Sequence, residues 1–139
     1  MALMNYNPYA MMSAFDRMDR ILGRAGGPVD PDTFVPAVES FSSETELHLR
    51  AEIPGVAPQD VHIEVTDGQL CITGERRAPA YAAQSCCCFE EMKYGPFSRC
   101  FMIPKNVDRE KIRAKNENGI LDITIPLPAS VKPQEIRIE

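Results

Sequence analysis

Val61-His62-Ile63-Glu64-Val65-Thr66-Asp67-Gly68-Gln69-Leu70-Cys71-Ile72-Thr73-Gly74 is the stretch on which the fold turns. Val61, Ile63 and Val65 alternate with His62, Glu64 and Thr66, and this period of two lays the apolar side chains on one face of an extended chain. Asp67-Gly68 supplies a hairpin turn, and Leu70, Ile72 and Gly74 follow with the same alternation on the return. Upstream, Leu47, Leu49, Ala51 and Ile53 alternate with His48, Arg50 and Glu52 until Pro54-Gly55 forces a turn. Downstream, residues 97–103, 112–117 and 120–125 repeat the pattern, with Asn118-Gly119 as a second tight hairpin turn. Short strands punctuated by Gly, Pro, Asn and Asp predict an all-β fold, an antiparallel β-sandwich.

The flanks read differently. Residues 1–34 hold five of the seven methionines. Met11, Phe15, Met18 and Leu22 recur at helical spacing, with Met12 and Ile21 beside them and Asp16, Arg17, Asp19 and Arg20 on the other face, which predicts a short amphipathic helix ending at Gly23. The Gly- and Pro-rich residues 25–32 read as a linker. Beyond the sandwich, taken as residues 35–127, Pro128 and Pro133 favour an extended connector over 128–139. Ile136 and Ile138 point to one side of that connector and read as an anchor exported to another surface.

The chain has 139 residues, one domain with two tails, and its 15 Lys and Arg against 20 Asp and Glu leave a net charge of −5 with no basic run. That argues against a nucleic-acid surface. No apolar stretch approaches the roughly 20 residues of a membrane span, and no basic start precedes an apolar run, so a cytoplasmic location is expected. Five cysteines, three of them adjacent at Cys86, Cys87 and Cys88, suit no disulfide framework and point to a reducing compartment. Cys71 and Cys100 read as small, half-buried strand side chains.

Candidate chemistry is sparse. His48 and His62 both fall on the polar phase of their strands, where a solvated surface position is expected before a catalytic one. No P-loop, dinucleotide turn or His-Glu-x-x-His is present, so neither a cofactor nor a metal is expected. The Cys86-Cys87-Cys88 run invites a soft-metal or redox reading, but zinc sites space their cysteines two to four residues apart and adjacent side chains diverge, which favours an incidental loop sequence. Arg99 is the informative charge, because it shares its phase with Phe97, Phe101 and Ile103. Buried without a partner it would cost about 3–5 kcal/mol, so a carboxylate is expected beside it, in the chain or across a subunit contact; the alternative is a strand edge from which it reaches water.

Ile53-Pro54-Gly55-Val56, the run from Tyr94 to Pro104, Val107-Asp108, Ala114 with Asn118-Gly119-Ile120-Leu121, and Ile136-Arg137-Ile138 together resemble the small heat shock protein family over about residues 35–139. The resemblance implies an α-crystallin domain, an immunoglobulin-like sandwich, between an N-terminal arm and a C-terminal extension. It implies an ATP-independent chaperone that holds partly unfolded client proteins, without enzymatic activity, as a homo-oligomer with a dimer as its building block. Ile136 and Ile138 would dock in a neighbour's groove lined by Val61, Ile63, Val65, Ile112 and Ala114. As in bacterial and plant members, a strand carried on the loop over about residues 77–89 would be exchanged between two chains, with Arg99, Glu91, Tyr81 and Phe89 at the dimer contact. Met92 stands where many bacterial relatives have Arg, and the three cysteines stand where polar residues are usual.

Met11, Met12, Phe15, Met18 and Leu22 would bind clients, because Met and Phe adapt to irregular apolar surfaces, or pack against other arms. A membrane-surface helix is disfavoured by Asp16 and Asp19. The competing function is a scaffolding or co-chaperone sandwich, from which the Ile-x-Ile end and the Met-rich arm distinguish this chain.

Overall fold

The computed structural model describes residues 31–129, so the arm helix expected over Met11 to Leu22 and the anchor at Ile136 and Ile138 lie outside the described residues. Seven strands form: β1 (Val38–Ser42), β2 (Glu46–Glu52), β3 (Val61–Thr66), β4 (Gln69–Arg76), β5 (Gly95–Met102), β6 (Arg113–Glu117) and β7 (Ile120–Pro126). All pair antiparallel, in a four-stranded sheet of order β1-β2-β7-β6 and a three-stranded sheet of order β3-β4-β5. The only helical pieces among the described residues are 3-10 turns at Pro58–Asp60, Ala80–Gln84 and Arg109–Lys111.

Alternation becomes burial where two strands present the same phase. Leu47, Leu49 and Ala51 of β2 face Ile125, Ile123 and Leu121 of β7 in register, and all six side chains are buried. Across the sandwich, Leu70 and Ile72 of β4 and Phe97 and Phe101 of β5 supply the opposing layer. Each such aliphatic side chain removed from water contributes about 1.5–3 kcal/mol, and these strands are the centre of the domain.

The two predicted hairpins form. At the β6–β7 turn Asn118 and Gly119 both take positive φ, 54° and 78°, the mirror-image turn whose twist suits a two-residue connection. Gly74 is required for a different reason: a Cβ there would lie 2.6 Å from the Asp60 carbonyl oxygen and 2.7 Å from Phe97 Cζ. The inward place that the alternation assigns to residue 74 is filled by the ring of Phe97, its cross-strand partner.

Three features depart from the sequence reading. β1 was not anticipated, because Val38-Glu39-Ser40-Phe41-Ser42 leaves only Val38 half-buried and so shows no alternation. Phe34, expected at the end of the arm, belongs to the core: it meets Phe97 edge to face at 5.6 Å, the Arg76 guanidinium lies 4.8 Å from its ring centre, and its N–H donates to the Tyr94 carbonyl. Cys71 and Cys100 are not separate small side chains. The β4–β5 register places them directly opposite each other with Cα atoms 4.1 Å apart, and they form a disulfide. The expectation that the cysteines suit no disulfide is corrected for this pair, while Cys86, Cys87 and Cys88 are free thiols.

Candidate assembly surfaces

Two edge strands carry apolar side chains that the single chain leaves partly uncovered. β3 is the edge of the three-stranded sheet and β6 the edge of the four-stranded one. The β6–β7 turn lies against the connection that leads from β2 to β3: the Ile53 N–H donates to the Gly119 carbonyl, and Gly119 approaches Pro54. Val61, Ile63 and Val65 face inward, Ile63 opposite the buried Ile72, yet all three remain only half-covered. Ala114 pairs with the fully buried Ile123 and therefore points to the same inner side, but is itself exposed, and Ile112 is half-buried. All five residues predicted to line a groove thus lie on two sheet edges, in the inward phase or, for Ile112, packed against the core beside it, with apolar surface uncovered.

A second open region is the long connection over residues 77–94. Five of its residues wind into the 3-10 turn Ala80–Gln84, and no strand forms within it in the single chain. Among the described residues, 86–93 make no hydrogen bond from main chain to main chain, although the Lys93 ammonium donates to the Pro31 carbonyl and Tyr94 anchors the end of the loop to Thr33 and Phe34. Tyr81, Phe89 and Met92 are 72%, 80% and 55% exposed, and Glu91 is exposed beside them. β1, at the edge of its sheet, leaves the main-chain groups of its outer side unpaired by any described strand. Phe41 on β1 is exposed as well.

Arg99 points inward as its phase requires, opposite Ile72 and only 7% exposed. Its Nη1 donates to the Pro36 carbonyl at 3.0 Å, and its guanidinium lies 5.5 Å from the centre of the Phe101 ring. The Pro36 carbonyl is one partner of Arg99, and one that the phase of the strand does not specify. This bond ties β5 to the segment entering β1 through a buried charge.

The outer face of the four-stranded sheet is mainly polar, with Phe41 on the edge strand β1 and Ile120 as its apolar members. Glu39, Arg50, Asp122 and Lys115 stand opposite one another across β1, β2, β7 and β6, a row of alternating sign. Arg50 binds Glu39 at 2.9 Å and Asp122 at 3.3 Å. Lys115 also pairs with Glu117, whose hydrogen bond holds the ammonium above its usual range while holding the Glu117 carboxyl below its own. In the neighbouring row His48 Nδ1 lies 3.2 Å from Thr124 Oγ1 and its Nε2 3.3 Å from Glu46, a hydrogen-bonding role, while His62 is exposed. Asp108 caps the last 3-10 turn: the bond from Lys111 and then that from the Glu110 N–H hold its carboxyl below the usual value. Among the described residues no three His, Cys, Asp or Glu side chains gather closely enough to hold a metal, and no helix is long and apolar enough to cross a membrane.

A two-sheet sandwich with open edges, a long connection between its fourth and fifth strands and a buried arginine tying β5 to the segment entering β1 is the architecture of an α-crystallin domain. The Hsp20/alpha crystallin family model matches residues 39–139, and the chain belongs to that family, the small heat shock proteins. It is similar to spore protein SP21 of Stigmatella aurantiaca, 29% identical over 136 residues that cover 98% of this chain and 76% of that protein. It is similar also to the 16.9 kDa class I heat shock protein 3 of rice, 31% identical over 137 residues, 96% of this chain and 92% of the rice protein. Among solved structures, a small heat-shock protein from Xylella fastidiosa superposes with a TM-score of 0.64 at 31% identity, covering 77% of this chain and 98% of that one.

Proposed function

We propose that this protein is an ATP-independent holding chaperone that captures partly unfolded proteins and acts as a dynamic homo-oligomer built from strand-exchanged dimers. The observation that carries this reading is that inward-facing residues on two edge strands, Ile63 and Ala114 among them, lie uncovered in the single chain. A second chain completes such a surface. Ile136 and Ile138 of a neighbouring copy suit it, since two isoleucines removed from water stabilise a contact by roughly 3–6 kcal/mol before the cost of ordering the tail. One contact of that size is reversible, and many together hold an assembly that still exchanges subunits.

Strand exchange is supported by the complementarity of the loop and β1. Residues 86–93 form no hydrogen bond from main chain to main chain, and β1 offers an open edge, so an extended segment from one chain can add to the sheet of another. Tyr81, Phe89, Glu91 and Arg99 are the residues assigned to this contact. Met11, Met12, Phe15, Met18 and Leu22 are assigned to client binding. The activity assigned here is binding without catalysis or cofactor, in the cytoplasm, with unfolding proteins and other copies of this chain as partners.

The test is light scattering from a heat-labile protein warmed at equal subunit ratio without nucleotide. Suppressed scattering is expected, and the Ile136→Ala/Ile138→Ala variant is expected to sediment as small species with an unchanged unfolding midpoint. Undiminished scattering, also after preheating the protein to loosen its oligomer, would leave a scaffolding sandwich as the better description.

A further inference from the structure

The loop holds one feature that capture and assembly leave unused, the free thiols of Cys86, Cys87 and Cys88, all exposed. We infer that these cysteines form a redox latch between two copies of this chain, closing an intersubunit disulfide when a small-molecule disulfide is present. The inference rests on the assembly reading above and adds regulation to the same loop. The thiols sit within residues 86–93, the segment that forms no hydrogen bond from main chain to main chain in the single chain, directly before Phe89, the most exposed of the loop's apolar side chains. A second copy that covers Tyr81, Phe89 and Met92 necessarily approaches the cysteines.

Local geometry favours a link between chains. Adjacent cysteines send their side chains to opposite sides of an extended chain, so they do not readily bond to each other. Successive side chains diverge, so in a run of three some thiol faces a partner whatever the tilt of approach. The sheet cysteines cannot substitute, because Cys71 and Cys100 are already joined across β4 and β5. The step balances as thiol–disulfide exchange. A loop thiolate attacks one sulfur of oxidised glutathione and expels one glutathione thiolate; a loop thiolate of the second copy then attacks the mixed disulfide and expels the other. Two protein thiols become one disulfide, one small disulfide becomes two thiols, and the two protons lost by the protein are taken up by the leaving glutathiones.

The experiment uses the full chain with Cys71–Cys100 intact, and compares sedimentation after mild reduction of the loop thiols with denaturing, non-reducing electrophoresis after exposure to oxidised glutathione. A covalent dimer is expected whose yield holds across an about tenfold dilution, as an internal link within an existing assembly requires. Peptide mapping places the bond among Cys86, Cys87 and Cys88. Cys86→Ser/Cys87→Ser/Cys88→Ser abolishes it, and Cys71→Ser/Cys100→Ser retains it. Subunit exchange slows to the minutes-to-hours scale of disulfide rearrangement. Glutathione adducts or a Cys86–Cys88 bond within one chain, formed by a protein that sediments as a dimer or larger, would overturn the latch and leave assembly standing. A reduced protein that sediments as a monomer would overturn both, as would a covalent dimer whose yield falls with dilution.

Discussion

β2 and the connection over residues 77–94 carry similar apolar side chains and treat them in opposite ways. Leu47 and Leu49 on β2 are 1% exposed, whereas Tyr81 and Phe89 in the connection are 72% and 80% exposed. On β2 the apolar residues recur with a period of two beside a strand of matching phase, so one chain suffices to bury them. In the connection they follow no period and meet no facing strand. The contrast teaches that a residue's apolarity states a need for cover, while its periodicity states whether the chain itself provides that cover.

The comparison breaks most visibly at its covered end. Ile123→Ala empties a fully buried site between β2 and β6, and chemical denaturation is expected to show a loss of about 2–5 kcal/mol. Arg99→Ala tests the joint between β5, where the connection ends, and the segment entering β1. It orphans the Pro36 carbonyl, worth about 1–3 kcal/mol, and sedimentation is expected to show smaller assemblies than Arg137→Ala produces; equal, unchanged sizes for both would remove the joint from the account.

At the uncovered end, Phe89→Ser is expected to leave stability within about 0.5 kcal/mol while shifting dimer dissociation to higher protein concentration in analytical ultracentrifugation. A fall in stability instead would show that the chain covers Phe89 by itself. The smallest effect is at Asp108. Its carboxyl is held below 3.8 in the folded protein, so its contribution is present above the ordinary carboxylate value and is lost as pH falls through the lower folded value. Thermal melts of Asp108→Asn are expected to lack that component of acid sensitivity, so that the difference from the parent shrinks as pH falls.

The same distinction explains what could be read from the sequence. The β3–β4 and β6–β7 hairpins were legible because alternation and turn chemistry agree within a dozen residues, and the inward aim of Arg99 followed from its phase with Phe97 and Phe101. β1 was not legible because an edge strand with an exposed outer row carries no alternation. The Cys71–Cys100 bond depends on the register of β4 against β5 across the long connection, which no local pattern specifies. Phe34 is a single apolar residue after a Pro-rich run, and only the space beside Phe97 and Arg76 shows that it belongs inside. The groove residues were named from a resemblance, and what the sequence alone could supply for them was their phase.

The row of Glu39, Arg50, Asp122 and Lys115 has a consequence for how copies accumulate. A face whose charges alternate and largely cancel, with its exposed aromatic Phe41 confined to the edge strand β1, offers no single-signed field to an approaching copy, and in crowded solution its centre resists stacking. Attachment is then confined to the rims of the sandwich and to the loop. A particle with a small, countable number of attachment points grows into shells that close and can be taken apart, whereas one adhesive over its whole surface grows into a precipitate.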